Sequence, residues 1–481
     1  MKNTKINYLR SAFLMTIVTL VNLNCEREVS DEAQNATFAK TAEVFTDAPV
    51  GMGTNFYFPY GPDANNPVGS KFSAWSVDSN VSYKGNASMR FDVPNATDPQ
   101  GNYAGGILRV DGAGRDLTGY DALTFWAKAS QGVTIGEIGF GEDFYPNKYI
   151  TTMRNISLGT AWTKYIIPIP NASKLVQEKG MFRYSAGTQG TNGFGYTFWI
   201  DELKFEKLGT ILPLQASIMN GNNITRSTFV GVTSTITGAL ATFNMPNGMN
   251  QSVSISPAFL NFTSSNTSVA TVNDAGVVTP IAAGTATITA TFNGQPATGS
   301  LIINCSGAYV NAPIPTLSPS NVISIFSDVY TNVPVNYYNG YWQPWQTTLS
   351  NDFSVLGDNV LNYTNFNFVG IEFSSPTVNA NSMTLIHLDA FIPGPIAPGR
   401  QLRVLVVDFG ANGVFGGGDD TRHSTTFTAT TPTALVSQNW ISIEIPFSAM
   451  TTLASRSHLA QIILEGGDNS IIYVDNIYFH N

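Results

Sequence analysis

One string of residues is written twice in this chain, and the fold must therefore be one that can be built twice. Phe45-Thr46-Asp47 is followed by Trp162, by Ile166-Ile167-Pro168, and by Trp199-Ile200-Asp201-Glu202-Leu203-Lys204-Phe205. Later, Phe326-Ser327-Asp328 is followed by Trp440, by Glu444-Ile445-Pro446, and by Tyr473-Val474-Asp475-Asn476-Ile477-Tyr478-Phe479. The pieces keep their order. Two copies of one β-module are expected, and duplicated non-catalytic modules gain avidity when two weak sites share a tether.

The 481 residues allow roughly three domains of 100–200 residues. Charged residues make up 12% of the chain, against about 25% in an average soluble protein. Aromatics also reach 12%, the profile of an extracellular β-protein. The net charge is −9 and the region after the N-terminus has no Lys/Arg block. Nucleic acid is thereby excluded as a partner, since phosphates need basic patches.

Residues 1–25 read as a signal peptide. Lys2, Lys5 and Arg10 precede a mostly apolar run from Ser11 to Leu23, too short to span a bilayer. Cys25 follows Asn24 and precedes Glu26, Glu28, Asp31 and Glu32. This arrangement resembles a bacterial lipoprotein start with the surface-export tag of Bacteroidota, although the common pattern has a small residue where Asn24 stands. The resemblance implies lipidation of Cys25, outer-membrane surface exposure, and membrane contact through the lipid alone. Cys305 is the one other cysteine, so a lipidated Cys25 leaves no intramolecular disulfide.

Residues 26–40 read as an acidic tether. Over 41–208, short apolar segments such as Ser88–Val93, Ala122–Ala129 and Lys164–Ile169 alternate with Gly, Asn and Pro, which predicts a jelly-roll β-sandwich. Residues 209–305 lose aromatics and gain Thr, Ser and Val. Ala286, Ile288, Ala290 and Phe292 alternate there with threonines, as in a half-buried strand. Pro313, Pro315 and Pro319 mark a semi-rigid linker over 306–320. Residues 321–481 form the second copy. The expected class is all-β, two jelly rolls separated by an Ig-like sandwich.

Three stretches carry resemblances. Ser265-Asn266-Thr267-Ser268-Val269-Ala270-Thr271-Val272 with Gly276-Val277-Val278-Thr279 and Ala283-Gly284-Thr285-Ala286-Thr287-Ile288 resembles the bacterial Ig-like group 2 domain, a spacer. Val322 through Asn332, Val407-Asp408-Phe409-Gly410 through Asp420, and His458 through the final strand resemble a C-terminal module of laminarin-degrading enzymes and glycan-binding lipoproteins. Asp116-Leu117-Thr118-Gly119-Tyr120-Asp121 and Trp199 through Leu203 look like a carbohydrate-binding module of the same lipoproteins. The likeness implies a polysaccharide partner of the β-1,3-glucan type. It further implies a neighbouring TonB-dependent porin with its lid lipoprotein, and a secreted glucanase.

Flat rings stack on the apolar faces of sugars, so exposed aromatics are the first candidates. Tyr337-Tyr338-Asn339-Gly340-Tyr341-Trp342-Gln343-Pro344-Trp345 packs five of them into a loop, and a core cannot easily absorb such a run. Tyr338, Tyr341, Trp342 and Trp345 are the candidates there; Tyr57 and Tyr60 hold the corresponding place in the first copy. Strand alternation adds Trp126 and Lys128 in the first copy and His387 and Asp389 in the second, with Gln461 expected to join their face. Trp162 and Trp440 recur before an Ile-Pro and read as packing. Asp47 with Asp201, and Asp328 with Asp475, are expected on neighbouring first and last strands. Related sugar-binding jelly rolls imply a structural Ca2+ near such pairs.

No catalytic motif stands out. Glu137-Ile138-Gly139-Phe140-Gly141-Glu142 has the outer spacing of a laminarinase Glu-x-Asp-x-x-Glu but Gly139 in place of the aspartate, and residues five apart on a strand face opposite ways. The expectation is a non-catalytic binder. A β-glucan hydrolase and a surface adhesin are the alternatives.

Overall fold

The computed structural model describes residues 37–51, 54–57, 69–144, 148–340, 342, 344–350 and 353–481. Cys25, Tyr60 and Tyr341 lie outside these. The described residues form strands joined by turns and three-residue 3-10 segments, so the chain is all-β.

The first sandwich has two layers. In one, Trp75–Asp78, Ser88–Val93, Tyr196–Glu206, Ala122–Ala129 and Thr163–Pro168 lie side by side, and Glu43–Phe45 also pairs with Tyr196–Glu206. The other runs Thr151–Leu158, Val133–Phe140, Gly180–Ala186, Ala104–Val110, Thr54–Tyr57. Phe91, Phe125, Phe198 and Ile200 from the first layer and Leu108, Ile138, Phe182 and Tyr184 from the second fill the space between. Successive side chains on a strand point to opposite faces, so Arg90, Trp126, Lys128 and Trp199 lie on the outside.

The C-terminal sandwich repeats this plan. Val322–Phe326, Leu385–Phe391 and Trp440–Pro446 are joined into one layer by the end of Leu459–His480. Thr421–Phe427, Leu402–Asp408, the start of Leu459–His480, the end of Leu361–Glu372 and Tyr337–Gly340 make the other, in the same order as the first sandwich. The long ribbon of Leu361–Glu372 with Leu459–His480 contributes to both layers.

The doubled signature has a structural cause. After the final aspartate of each copy the chain takes a left-handed residue, Glu202 (φ 48°) in one and Asn476 (φ 51°) in the other. The register shifts at both places, between Asp201 and Lys204 and opposite His387 and Asp389. A bulge that adds one residue lets Trp199 and Asp201 face outward while Leu203 and Phe205 return to the core.

The segment read as a spacer is joined to the first sandwich. Leu212–Ser217, Leu240–Asn244 and Asn250–Ile255 extend its second layer, with Ser254 and Ile255 pairing Thr152 and Thr151. Lys174 Nζ donates to the Ala258 carbonyl at 2.6 Å and Gln251 Nε2 to that of Ile166 at 2.8 Å. The remainder is an Ig-like pair of small sheets, including a parallel pairing of Asn223–Thr228 with Ser300–Cys305.

Residues 306–320, read as a semi-rigid linker, make ordered contacts with the C-terminal sandwich. Trp440 Nε1 donates to the Val310 carbonyl (2.6 Å), Asn476 Nδ2 to that of Pro313 (2.9 Å), and Tyr330 Oη to that of Leu317 (3.0 Å). The segment therefore lies against the C-terminal sandwich. Phe229 from the Ig-like region packs on Tyr309, Phe391 and Tyr473, with ring centres 5.0, 5.4 and 5.4 Å away. Truncating a buried phenylalanine costs about 3–5 kcal/mol. Phe229→Ala is expected to lower the melting temperature of the full chain and to speed proteolytic cleavage within 306–320, read by limited proteolysis and mass spectrometry.

Candidate functional site

The outer face of the second layer of the C-terminal sandwich holds a cleft of about 730 Å³. Strand alternation builds it. Val404, Val406, Ile462, Leu464, Val369 and Ile371 point into the core, so Val407, Gln461, Ile463 and Glu372 face the cleft. Trp342 and Phe415 line it from loops. Gly370 makes room for Trp342: a Cβ there would meet the indole at 2.5 Å. The ring also touches Phe368, with centres 6.0 Å apart. Phe415 is 70% exposed and leans on Phe409 at 5.4 Å.

The polar groups converge on Glu372. Its carboxylate accepts from Tyr337 Oη (2.6 Å), Ser374 Oγ (2.6 Å) and Gln461 Nε2 (2.9 Å). Burial works against its charge, but these three donors outweigh it and hold the carboxyl below its ordinary value. Asp420 and Arg422 line the opposite side. Asp420 Oδ2 accepts from the Gly416 amide at 2.8 Å, while its Oδ1 is buried with no partner among the described residues. Arg422 is exposed and makes no ion pair among the described residues. The cleft thus offers two ring faces, ordered acceptors and a free guanidinium.

The aromatic loop divides between core and surface. Tyr338 donates to the Ile325 carbonyl (2.9 Å) and packs on Phe326, so it belongs to the core. Its neighbour Tyr337 points the other way and lines the cleft. Trp345 is 74% exposed beyond the cleft lining. Phe415, Tyr337, Glu372 and Arg422 are site residues that the reading of the sequence did not single out. The signal for Phe415 was an apolar residue beside Gly416-Gly417-Gly418.

His387 and Asp389 are not with Gln461. Their strand belongs to the other layer, and they point to its outer side, which residues 306–320 partly cover. His387 Nδ1 lies 2.7 Å from Glu444 Oε1, Nε2 lies 3.4 Å from Asp389 Oδ2, and the ring stacks on Tyr478 at 4.5 Å. Asp389 accepts from Ser442 Oγ (2.5 Å) and Asn476 Nδ2 (2.9 Å). These are the contacts of a buried polar network.

In the first sandwich the candidates split likewise. Tyr57 lies on the second layer, its Oη donating to Asp111 at 2.7 Å and its ring edge-on to Phe144 at 5.1 Å. Trp126 and Lys128 lie on the opposite side of the molecule, and Trp126 is covered by Tyr83, stacked at 3.9 Å. The position that corresponds to the C-terminal cleft is occupied by ion pairs. Arg183 bridges Glu137 (2.8 Å) and Glu142, and Arg154 also meets Glu137 (2.8 Å).

The four aspartates have local partners. Asp47 accepts from the Asn86 and Ala87 amides (2.5 and 2.8 Å), and Asp201 from those of Tyr83 and Lys84 (2.7 and 3.0 Å), which clamps the turn between. Asp328 accepts from Asn359 Nδ2 (2.9 Å), and Asp475 from the Asn476 amide (2.6 Å). Among the described residues no group of three or more His, Cys, Asp or Glu side chains that could hold a metal ion is found at these pairs.

Comparison with known proteins places these elements. The family model for carbohydrate binding domain 30 matches residues 51–207, and that for the bacterial Ig-like domain (group 2) matches 248–299. The chain is therefore multimodular, with a carbohydrate-binding type of domain and an Ig-like domain. The family 30 carbohydrate-binding module of the cellulosomal cellulase Cel9D-Cel44B of Clostridium thermocellum is 15% identical, over 35% of this chain and 97% of that one, with a TM-score of 0.24. The family 11 module from the same organism, in complex with a β-1,3-1,4-mixed-linked tetrasaccharide, is 19% identical over 35% and 98%, with a TM-score of 0.24. The tandem CBM22-1-CBM22-2 of Paenibacillus barcinonensis Xyn10C is 9% identical over 93% and 99%, with a TM-score of 0.21. No curated protein matches the chain.

The buried network of the C-terminal sandwich gives a pH dependence. Burial disfavours charged His387, but its bonds to Asp389 and Glu444 outweigh this and raise it to about 9. Burial, reinforced by Asp358, Asp328 and Asp389, raises Asp475 to about 7. Both groups hold their proton more tightly folded than unfolded. The stability each contributes is full below its ordinary value and lost as pH rises through its folded value. The melting temperature of this sandwich is expected to fall between about pH 4 and about 9, by scanning calorimetry. Asp475→Asn is expected to flatten the lower part of that fall and His387→Gln the upper part.

Proposed function

We propose that this protein captures polysaccharide without cleaving it, and that the C-terminal cleft is the site. The observation that carries this reading is the pairing of two loop-borne rings, Trp342 and Phe415, over a polar floor in an open groove. Sugars present apolar C–H faces to the rings, while Glu372, Gln461 and Arg422 exchange hydrogen bonds with their hydroxyls. An open cleft with ordered donors and acceptors suits a chain that enters and leaves sideways. The carbohydrate-binding domain match over 51–207 supports the same class of ligand.

The ligand proposed is a β-1,3-glucan of the laminarin type, and the protein is anchored at the outer-membrane surface through lipidated Cys25. It hands glycan to a TonB-dependent porin with its lid lipoprotein. These finer points rest on the sequence resemblances. A hydrolase is the second reading, because two carboxylates, Glu372 and Asp420, line one cleft. Three donors already occupy Glu372, which favours binding.

Affinity electrophoresis of the full chain in gels containing laminarin tests the proposal, alongside a reducing-sugar assay. Retardation without sugar release is expected; release of reducing ends would replace the binder by the hydrolase. Trp342→Ala is expected to weaken retardation at least about tenfold, or ~1.4 kcal/mol. Gly370→Val, which leaves the indole intact but removes its seat, is expected to weaken it similarly.

A further inference from the structure

The first sandwich carries an arrangement on its other side that the proposed cleft does not use. Across the outer face of its first layer, Arg90 pairs with Trp199 and Trp199 with Lys128. Trp162, adjacent to the Thr163–Ala127 pair, ends the row. Lys128 Nζ sits 5.4 Å from the centre of the Trp199 ring and 5.8 Å from that of Trp162. Tyr83, 41% exposed, forms the rim, 6.0 Å from Trp162. The row alternates cation and ring over four strands.

The charges in this row are not equally satisfied. Arg90 meets Asp92 at 3.0 Å and Asp78 at 3.4 Å. Nearby Lys164 meets Glu206 at 2.6 Å. Lys128 has no carboxylate partner among the described residues; its neighbours are two indoles. Cation–π contact holds the ammonium between the two indoles, where it can also meet an anion. Half-buried Trp162 and Trp199 flank it, with the Arg90 guanidinium also over Trp199 at 5.9 Å, so a pyranose set beside Lys128 meets apolar indole surface as well as cations. A sugar with a carboxylate on its ring carbon frame satisfies both.

We propose that this row is a second glycan site and that it takes a polyuronate, with Lys128 binding a uronate carboxylate between Trp162 and Trp199. It faces away from the ion-paired layer of the same sandwich and does not depend on the C-terminal cleft. The protein then holds two polymers of different charge, one neutral and one acidic.

Affinity electrophoresis of the full chain in gels containing alginate, polygalacturonate, a sulfated galactan or laminarin tests this. Retardation by at least one polyuronate at low salt is expected, decreasing as salt screens the ion pair. Lys128→Gln and, separately, Trp162→Ala are expected to weaken it about five- to tenfold, with laminarin retardation and melting temperature unchanged. No retardation in either polyuronate, retardation by the sulfated polymer alone, or polyuronate retardation that Lys128→Gln leaves intact would overturn the proposal. Trp342→Ala in the same gels reads the cleft independently, so loss of laminarin binding alone bears only on the first site.

Discussion

Each sandwich closes when its last strand enters the sheet beside its first. Tyr196–Glu206 is bonded to Glu43–Phe45, Ser88–Val93 and Ala122–Ala129, and Leu459–His480 holds the equivalent place. Phe198, Ile200, Leu203 and Phe205, and Ile472, Val474, Ile477 and Phe479, are buried at these seams. The bulges at Glu202 and Asn476 allow one strand to supply both core and outer-face residues. Everything placed on the outer faces inherits its position from that closure. Because the pairing joins the two ends of each module, the contacts are non-local, and such folds are completed late and slowly.

The duplicated scaffold is used in opposite ways by its two copies. In the C-terminal copy the second layer is hollowed into the cleft, and the first layer is partly covered by residues 306–320. In the first copy the second layer is filled by the Arg183–Glu137–Arg154 ladder and lengthened by the Ig-like strands. Its first layer keeps an open row around Lys128. The recurring tryptophan shows the divergence in one residue: Trp440 is tied to the Val310 carbonyl, whereas Trp162 stands beside Tyr83 and Lys128.

Much of this was legible from residue order. Alternation in Ala122–Ala129 and Leu385–Phe391 correctly separated core from outer face, because the period of a strand is two. Alternation does not say which layer a strand joins. Alternation alone groups His387 with Gln461, although their strands lie in opposite layers. Tyr338 and Tyr337 exchanged roles because a strand, Tyr337–Gly340, begins inside what reads as a loop. Glu372 carried no motif; Tyr337 and Gln461 from other strands, with nearby Ser374, give it its place.

The sequence by itself determined the class of fold, the duplication and the Ig-like insertion, since these depend on local periodicity, turn residues and recurring strings. The tertiary structure decided which faces are open. A cleft needs strands 337–340, 361–372, 402–408 and 459–465 to lie side by side with a glycine under the indole. A covered face needs a linker that folds back. Both result from packing between residues far apart in the chain, where the energy lies in burial and in matched polar groups, and no local pattern records that.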